Sequence, residues 1–434
     1  VNAGDTIASG GNYNTVIGDE AGTALTTGDK NTAIGFQALK TEDAHGNNTA
    51  VGYRALETLN VGSEGFNTAV GVDAGQAMNT GSTNSFLGSF AGAAITNGSR
   101  NTGLGYAALG NNTSSNRNVA VGRNALGTLN ITSSTDAHNV AVGESAGVSM
   151  TTGLYNTLMG GLAGDALTDA DYNTYIGYNA GGADDLGNYN VAVGAGALST
   201  LNYSGATNGQ NVAVGYNALQ DQTTAVQNTA IGNHAGGGVT TGSYNIFIGN
   251  AAGDHDNPTT TGGPNIVIGA YADTSSGGSS HQIIMGYNVT GNADNSFVFG
   301  NTGTDSAISF GATSISAPSD IRLKEDIKDE TVGLDFINDL RPVTFQWKKA
   351  KDVPSEMKTH SDSEERVMNG KYNHGFIAQE VKEIMDKYDI KEGLGLWTED
   401  EADGRQRIAE GELVPFLVKA IQELSAKVTT LENA

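Results

Sequence analysis

A hydroxyl and an amine five positions apart, Ser319 and Lys324, form the side-chain pair in this 434-residue chain that most directly suggests chemistry. A serine hydroxyl is a poor nucleophile until a nearby base takes its proton. Lysine can be that base only when neutral, which requires burial or neighbouring positive charge, and Arg322 stands between the two. The same string, Ser319-Asp-Ile-Arg-Leu-Lys324, also reads as an N-cap opening a helical turn with Arg322 and Lys324 solvated. Spacing alone leaves both readings open. Elsewhere the chemistry-bearing residues are scattered. His45, His138, His234 and His255 show no metal-ligand spacing and read as members of solvated turns. No paired carboxylates stand out as a glycosidase site. With no cysteine there is no thiol chemistry, no disulfide and no clue to redox compartment. No cofactor and no metal are expected.

The elements that must position the pair belong to two different kinds of protein joined near residue 318. Before that point lie 54 of the 61 glycines and only six basic side chains: Lys30, Lys40, Arg54, Arg100, Arg117 and Arg123. After it come 17 Lys or Arg, 25 Asp or Glu and both tryptophans. The formal net charge of −24 repels a phosphate backbone, so nucleic acid is not an expected partner. No stretch approaches 18 apolar residues, so no membrane span is expected. The chain opens at Val1 with no initiator Met and no charged-then-apolar leader, and reads as a fragment whose attachment end is missing.

The first part is a repeat. The motif N-[TV]-A-[VI]-G-x-x-A begins at Asn14, Asn31, Asn48, Asn67, Asn84, Asn101, Asn118, Asn139, Asn156, Asn173, Asn190, Asn211, Asn228, Asn245 and Asn265. Most spacings are 17, with a few of 19 to 21, and weaker copies follow at Gln282–Gly286 and Ser296–Gly300. Every one of the fifteen copies has Asn first, an aliphatic residue fourth, Gly fifth and Ala eighth. Asn31-Thr-Ala-Ile-Gly35 reads as a short strand ending where the backbone must turn without a Cβ. Ala38 or Ala55 then suits a narrow interior, and turns such as Thr26-Thr27-Gly28 close the unit. One unit buries almost nothing, so stability must come from stacking on its neighbours. The longer units are expected to place their extra residues in surface turns, around Thr132–His138 and Tyr203–Gln210. Identical asparagines in stacked rungs are expected to form a hydrogen-bonded ladder. The residue after the glycine is often aromatic (Phe36, Tyr53, Tyr106, Tyr178, Tyr216, Tyr287), a stripe suited to packing between subunits or to stacking sugars. Over roughly residues 10–300 the repeat resembles the β-roll heads of trimeric bacterial adhesins, though those have shorter units. It is also similar to repeats upstream of the chaperone domain in phage fibre proteins.

Residues 301–318 are Gly-, Ser-, Thr- and Ala-rich and read as a neck. After Ser319–Lys324 come Leu340-Arg-Pro-Val-Thr-Phe-Gln-Trp347, His374-Gly-Phe-Ile-Ala-Gln-Glu-Val381 and Glu412-Leu-Val-Pro-Phe-Leu-Val-Lys-Ala-Ile-Gln-Glu-Leu424. In this order, these four motifs resemble the endosialidase-type intramolecular chaperone family, a self-cleaving C-terminal module of phage tailspikes and fibres. The resemblance implies that Ser319 follows the scissile bond after Pro318 and that Lys324 is its partner. Attack by Ser319 on the Pro318 carbonyl would turn the amide into an ester that water hydrolyses. That is one turnover on the chain's own backbone, with no multi-turnover activity expected. His374 belongs to a signature segment, as a general acid or oxyanion donor or as part of a strand-to-helix junction. Residues 377–388 read as an amphipathic helix, and 348–365, highly charged with one proline, as a mobile loop or arm.

The end of the chain carries a heptad seam: Val414, Leu417, Ile421, Leu424, Val428 and Leu431, spaced 3, 4, 3, 4, 3, with Pro415 in the first turn. Such a helix must pack on its own domain or on partner copies; a three-stranded bundle is the expectation. The fold expected is therefore mainly β: a homotrimeric β-solenoid or β-roll rod of 17-residue rungs over 1–300, a neck over 301–318, and a small α+β chaperone domain with a coiled-coil-like helix over 319–434. The expected function is a phage tail fibre or tailspike that meets a bacterial surface receptor, glycan or outer-membrane component. It would join other tail proteins through the missing N-terminal part, and would reside in the virion after assembly in the host cytoplasm. The alternatives are a polysaccharide-degrading tailspike and a bacterial trimeric surface adhesin.

Overall fold

The middle residue of each three-residue strand faces inward and its two neighbours face outward, so the motif alternates with the period of a β-strand. This is seen in a computed structural model that describes residues 2–302, 304–312, 315, 319, 321–355, 357, 359–368, 370–390, 395–399 and 404–434. The chain is mainly β and forms two compact units, Val1–Pro318 and Ser319–Ala434.

In the first unit the motif copies stack in parallel and in register. Thr32, Ala33 and Ile34 pair with Thr49, Ala50 and Val51, and the same like-on-like register continues to the strands Gln282–Tyr287 and Ser296–Asn301. Seventeen parallel strands make one long sheet of a β-solenoid. At about 4.8 Å per strand, the stack is roughly 77 Å long. The strand Ser306–Ser309, inside the expected neck, turns back antiparallel on Ser296–Asn301. It covers the last parallel edge, which would otherwise present unpaired amides to a further chain.

Three columns hold the stack together. The eighth-position alanines, such as Ala38, Ala55 and Ala125, are fully buried. The fifth-position glycines adopt a left-handed backbone; at Gly52, φ is 143°, and an added Cβ would lie 2.2 Å from the Gly71 carbonyl oxygen of the next rung. The asparagines form the expected ladder, but mostly through the main chain. The backbone N–H of Asn173 donates to Asn156 Oδ1 (2.9 Å), while Asn156 Nδ2 donates to the Ala170 carbonyl (2.7 Å). Apart from Asn190, whose Nδ2 finds no partner, the buried amides thus satisfy strand N–H groups and turn carbonyls that the ladder leaves over, and losing such a partner costs about 1–3 kcal/mol.

The longer units depart in part from the expectation of surface turns. Ser133 and Ser134 are exposed, but Val61, Ile131 and Tyr203 turn inward and are buried. These buried residues join the core of the rod. Tyr203 donates from its hydroxyl to the Ala225 carbonyl at 2.8 Å, and Asn211 Nδ2 donates to Tyr203 Oη at 2.9 Å. Next to it, Asp184 is fully buried, accepting from Tyr175 Oη and from the Gly187 N–H. Burial outweighs these bonds and pushes its carboxyl up to about 6. A carboxyl raised on folding stabilises the native state fully below its unfolded value near 4, and that contribution is lost as pH rises through 6. The rod is therefore expected to melt at a higher temperature at pH 5 than at pH 7.5. Asp184→Asn should flatten that difference by about 1.4 kcal/mol, because only the span from pH 5 to 6 falls within the range over which the contribution is lost, read by thermal unfolding at the two pH values.

The second unit has its own core. Helix α1 (Leu334–Asp339) precedes an antiparallel pair, Val343–Phe345 with Asn373–Gly375. Helix α2 (Ala378–Lys387) follows, within the amphipathic segment expected over 377–388. A second antiparallel pair joins Trp397–Glu399 to Gln406–Ile408, and helix α3 (Val414–Glu432) ends the chain. Phe336 of α1 is fully buried, with ring centroids 5.6 Å from Tyr388 and 5.2 Å from Phe416. Glu423 of α3 accepts the Leu334 N–H (2.9 Å) at the start of α1, a carboxylate placed where unpaired helix amides favour one. The described part of the charged segment 348–365 has more order than a loose arm. Lys349 bridges to Arg366, Glu364 lies between Lys349 and Lys351, and Ala350 and Val353 are buried.

Candidate functional site

The turn that follows Ser319 brings its hydroxyl to Lys324. Residues Ile321–Leu323 form one turn of 3-10 helix, closed by the Lys324 N–H on the Ile321 carbonyl at 3.2 Å. A turn of this kind returns the chain on itself, so side chains on either side of it can meet. Lys324 Nζ lies 2.8 Å from Ser319 Oγ, and both side chains are exposed. Pro318 lies outside the described residues, as does Asp320.

A nucleophile and a base at hydrogen-bond distance are the minimum for acyl transfer. Lys324 Nζ donates to the hydroxyl in this contact, and acyl transfer would need the same contact to carry the hydroxyl proton the other way. Removing an amine from water favours its neutral form.

His374 lies in the strand Asn373–Gly375, immediately before α2, at the strand-to-helix junction that was one of its two readings. Its Nδ1 is 3.4 Å from Thr344 Oγ1 on the paired strand, an exposed contact. The heptad residues Val414, Leu417, Ile421, Leu424, Val428 and Leu431 are all exposed, while Phe416 and Ala420 on another face of α3 are buried in the core of their own unit. One face of α3 thus packs on its own domain, and the heptad face stays exposed.

Of the aromatic residues after the glycine, Phe36 stacks on Tyr53 at 5.4 Å, while Tyr106, Tyr216 and Tyr287 meet Phe90, His234 and Tyr271, each two residues after the glycine of an adjacent rung. A second aromatic column, one residue before the asparagine, escaped the sequence reading. His138, Tyr155, Tyr172 and Tyr189 stack nearly parallel with centroids 4.9–5.7 Å apart. The signal was present as aromatic residues at the same offset in consecutive units. Also unforeseen is the approach of Glu42, Asp43 and His45, whose ligand atoms lie within 4.8 Å of one another. Glu42 is already engaged there by the amides of His45 and Val61. Among the described residues, no helix is long and apolar enough to cross a membrane.

No curated protein and no solved structure matches the chain. One family does match, described as the chaperone of endosialidase, over residues 319–390. That stretch begins at the hydroxyl that Lys324 contacts and takes in three of the four motifs; the fourth, in α3, lies beyond it. The C-terminal unit, behind its β-solenoid, therefore carries a chaperone-of-endosialidase domain that starts at Ser319.

Proposed function

We propose that this chain is the distal part of a homotrimeric phage tail fibre or tailspike, whose C-terminal domain assembles the trimer and then cuts itself away between Pro318 and Ser319. The observation that carries this reading is the 2.8 Å contact of Lys324 Nζ with Ser319 Oγ at the first residue of the matched domain. Lys324 takes the hydroxyl proton as Oγ attacks the Pro318 carbonyl carbon. The C–N bond breaks, the proton passes to the leaving amine of Ser319, and an ester joins the two pieces. Water then hydrolyses the ester, releasing a carboxylate at Pro318 and restoring the serine hydroxyl. Packing of further copies over the exposed pair would withdraw the amine from water and favour its neutral form, so cutting would follow assembly.

The exposed seam of α3 supports the trimer, because a heptad stripe of aliphatic side chains left in water is a cost that a three-stranded bundle removes. Bringing three chains into register first also suits a rod whose rung contacts recur only every 17 residues or more. In this reading the rod meets a bacterial surface receptor, and the virion tail is its place of action. Mass spectrometry of the purified, denatured protein tests the cut. A new amine at Ser319 and a new carboxyl at Pro318 are expected; an intact chain, or a cut elsewhere, contradicts it.

A further inference from the structure

The outward face of the long sheet carries two side chains per rung, the second and fourth positions of the motif. Across all seventeen parallel strands these positions hold only Thr, Ser, Val, Ile, Leu, Met and Phe, without one charge, amide, glycine or proline. The fourth position is apolar throughout, yet it is not buried: Ile17, Leu87, Met159 and Met285 are all exposed, Ile17 by 59 %. Neighbouring outward columns differ. The one after the glycine includes Asp19, Arg123 and Glu144, and the one before the asparagine includes Lys30, Arg100 and Arg117. The aromatic part of that last column covers its own ring faces by stacking. Among the described residues of the rod, the aliphatic column has no such cover.

The strip is about 77 Å long and roughly 10 Å wide, on the order of 800 Å², beyond the 300–600 Å² typical of the largest apolar patch on a monomer. It equals about what one partner contributes to a standard stable interface. A flat, charge-free sheet face of this length left in water would invite indiscriminate association. Its uniformity along the axis suits an occupant with the same rise per rung, which a second copy of this chain has and an unrelated protein does not.

We propose that this face, from Ile17 to Phe299, is the subunit seam of the rod, covered in the assembly by the same face of two further copies. The inference rests on the trimeric reading above and adds to it which side of the rod points to the three-fold axis. Around such an axis each fourth-position residue approaches its own counterparts at the same level.

The absence of native cysteine makes the test direct. The full chain is produced with Val121→Cys in the seam column or, separately, Tyr172→Cys on the exposed aromatic column. Each variant is sized by sedimentation, treated with a short bis-maleimide and run on a denaturing gel. The expected result is a trimer in both cases, with cross-linked pairs of chains from Val121→Cys and none from Tyr172→Cys. A trimer in which Val121→Cys does not cross-link, or in which both variants cross-link equally, overturns the seam and leaves the trimer standing. A monomer overturns both. Val142→Cys, one rung away, replaces Val121→Cys if that variant does not fold.

Discussion

Ser319→Ala is expected to leave the purified chain as one full-length band under denaturing conditions, where the unaltered chain gives two. The substitution removes the only atom that can form the ester and leaves the turn Ile321–Leu323 with its backbone bond in place. Folding and assembly should therefore proceed, and the domain Ser319–Ala434 should stay covalently attached. Lys324→Met tests the other half of the pair. With the hydroxyl retained and its base removed, cutting should slow by about 10²–10⁴ and not vanish, the usual contribution of a positioned general base. Ser319→Cys should keep cutting, since a thiol supplies the same kind of bond through a thioester. Band intensities followed over time after folding separate these outcomes. Two bands from Ser319→Ala would remove the serine from the chemistry altogether.

The second large effect lies in the rod. Gly122 has φ of 134°, and a Cβ there would sit 2.3 Å from the Gly143 carbonyl oxygen of the next rung. The obstacle is backbone held by its own ladder, so it cannot swing aside as a side chain could. Conformational strain of about 1–3 kcal/mol then adds to a contact that forces two rungs apart. In a stack whose stability comes from neighbouring pairs, one broken interface uncouples the two halves. Gly122→Ala should therefore melt well below the parent and open a protease-sensitive site between Gly122 and Gly143, read by thermal unfolding and limited proteolysis. Gly205→Ala is the matched control. Nothing lies within 4 Å of a Cβ at Gly205, and its melting temperature should barely move.

Much of the rod was legible because its register is written in the repeat. Once Asn118 and Asn139 are seen as equivalent, the parallel pairing of Val119–Val121 with Val140–Val142 follows. The inward alanines and the glycine turns were legible too, since a missing or minimal side chain has few structural meanings. The hydrogen bonding of the asparagines was only half legible. Side-chain composition suggests amide on amide, while the nearest partners proved to be main-chain groups that short strands leave unpaired. The inward turn of Val61, Ile131 and Tyr203 was not legible, because the extra residues of the longer units have no counterpart in the 17-residue units whose pattern could assign them a side. In the C-terminal unit the pairing of Val343–Phe345 with Asn373–Gly375 spans a charged segment, and no local pattern announces it. At the candidate site, residue types and spacing named Ser319 and Lys324 but left two readings open. The geometry that brings them together comes from the short helical turn between them.

Sedimentation velocity on the product of the full chain and on that of a chain ending at Pro318 probes the assembly account most directly. With residues 319–434 present at synthesis, the rod should sediment as three chains, elongated and protease-resistant. It should remain so after the C-terminal piece is gone. Synthesised without them, it should yield little native rod and much aggregate. A native monomeric rod, or equal yields of trimer from the two chains, would contradict the account.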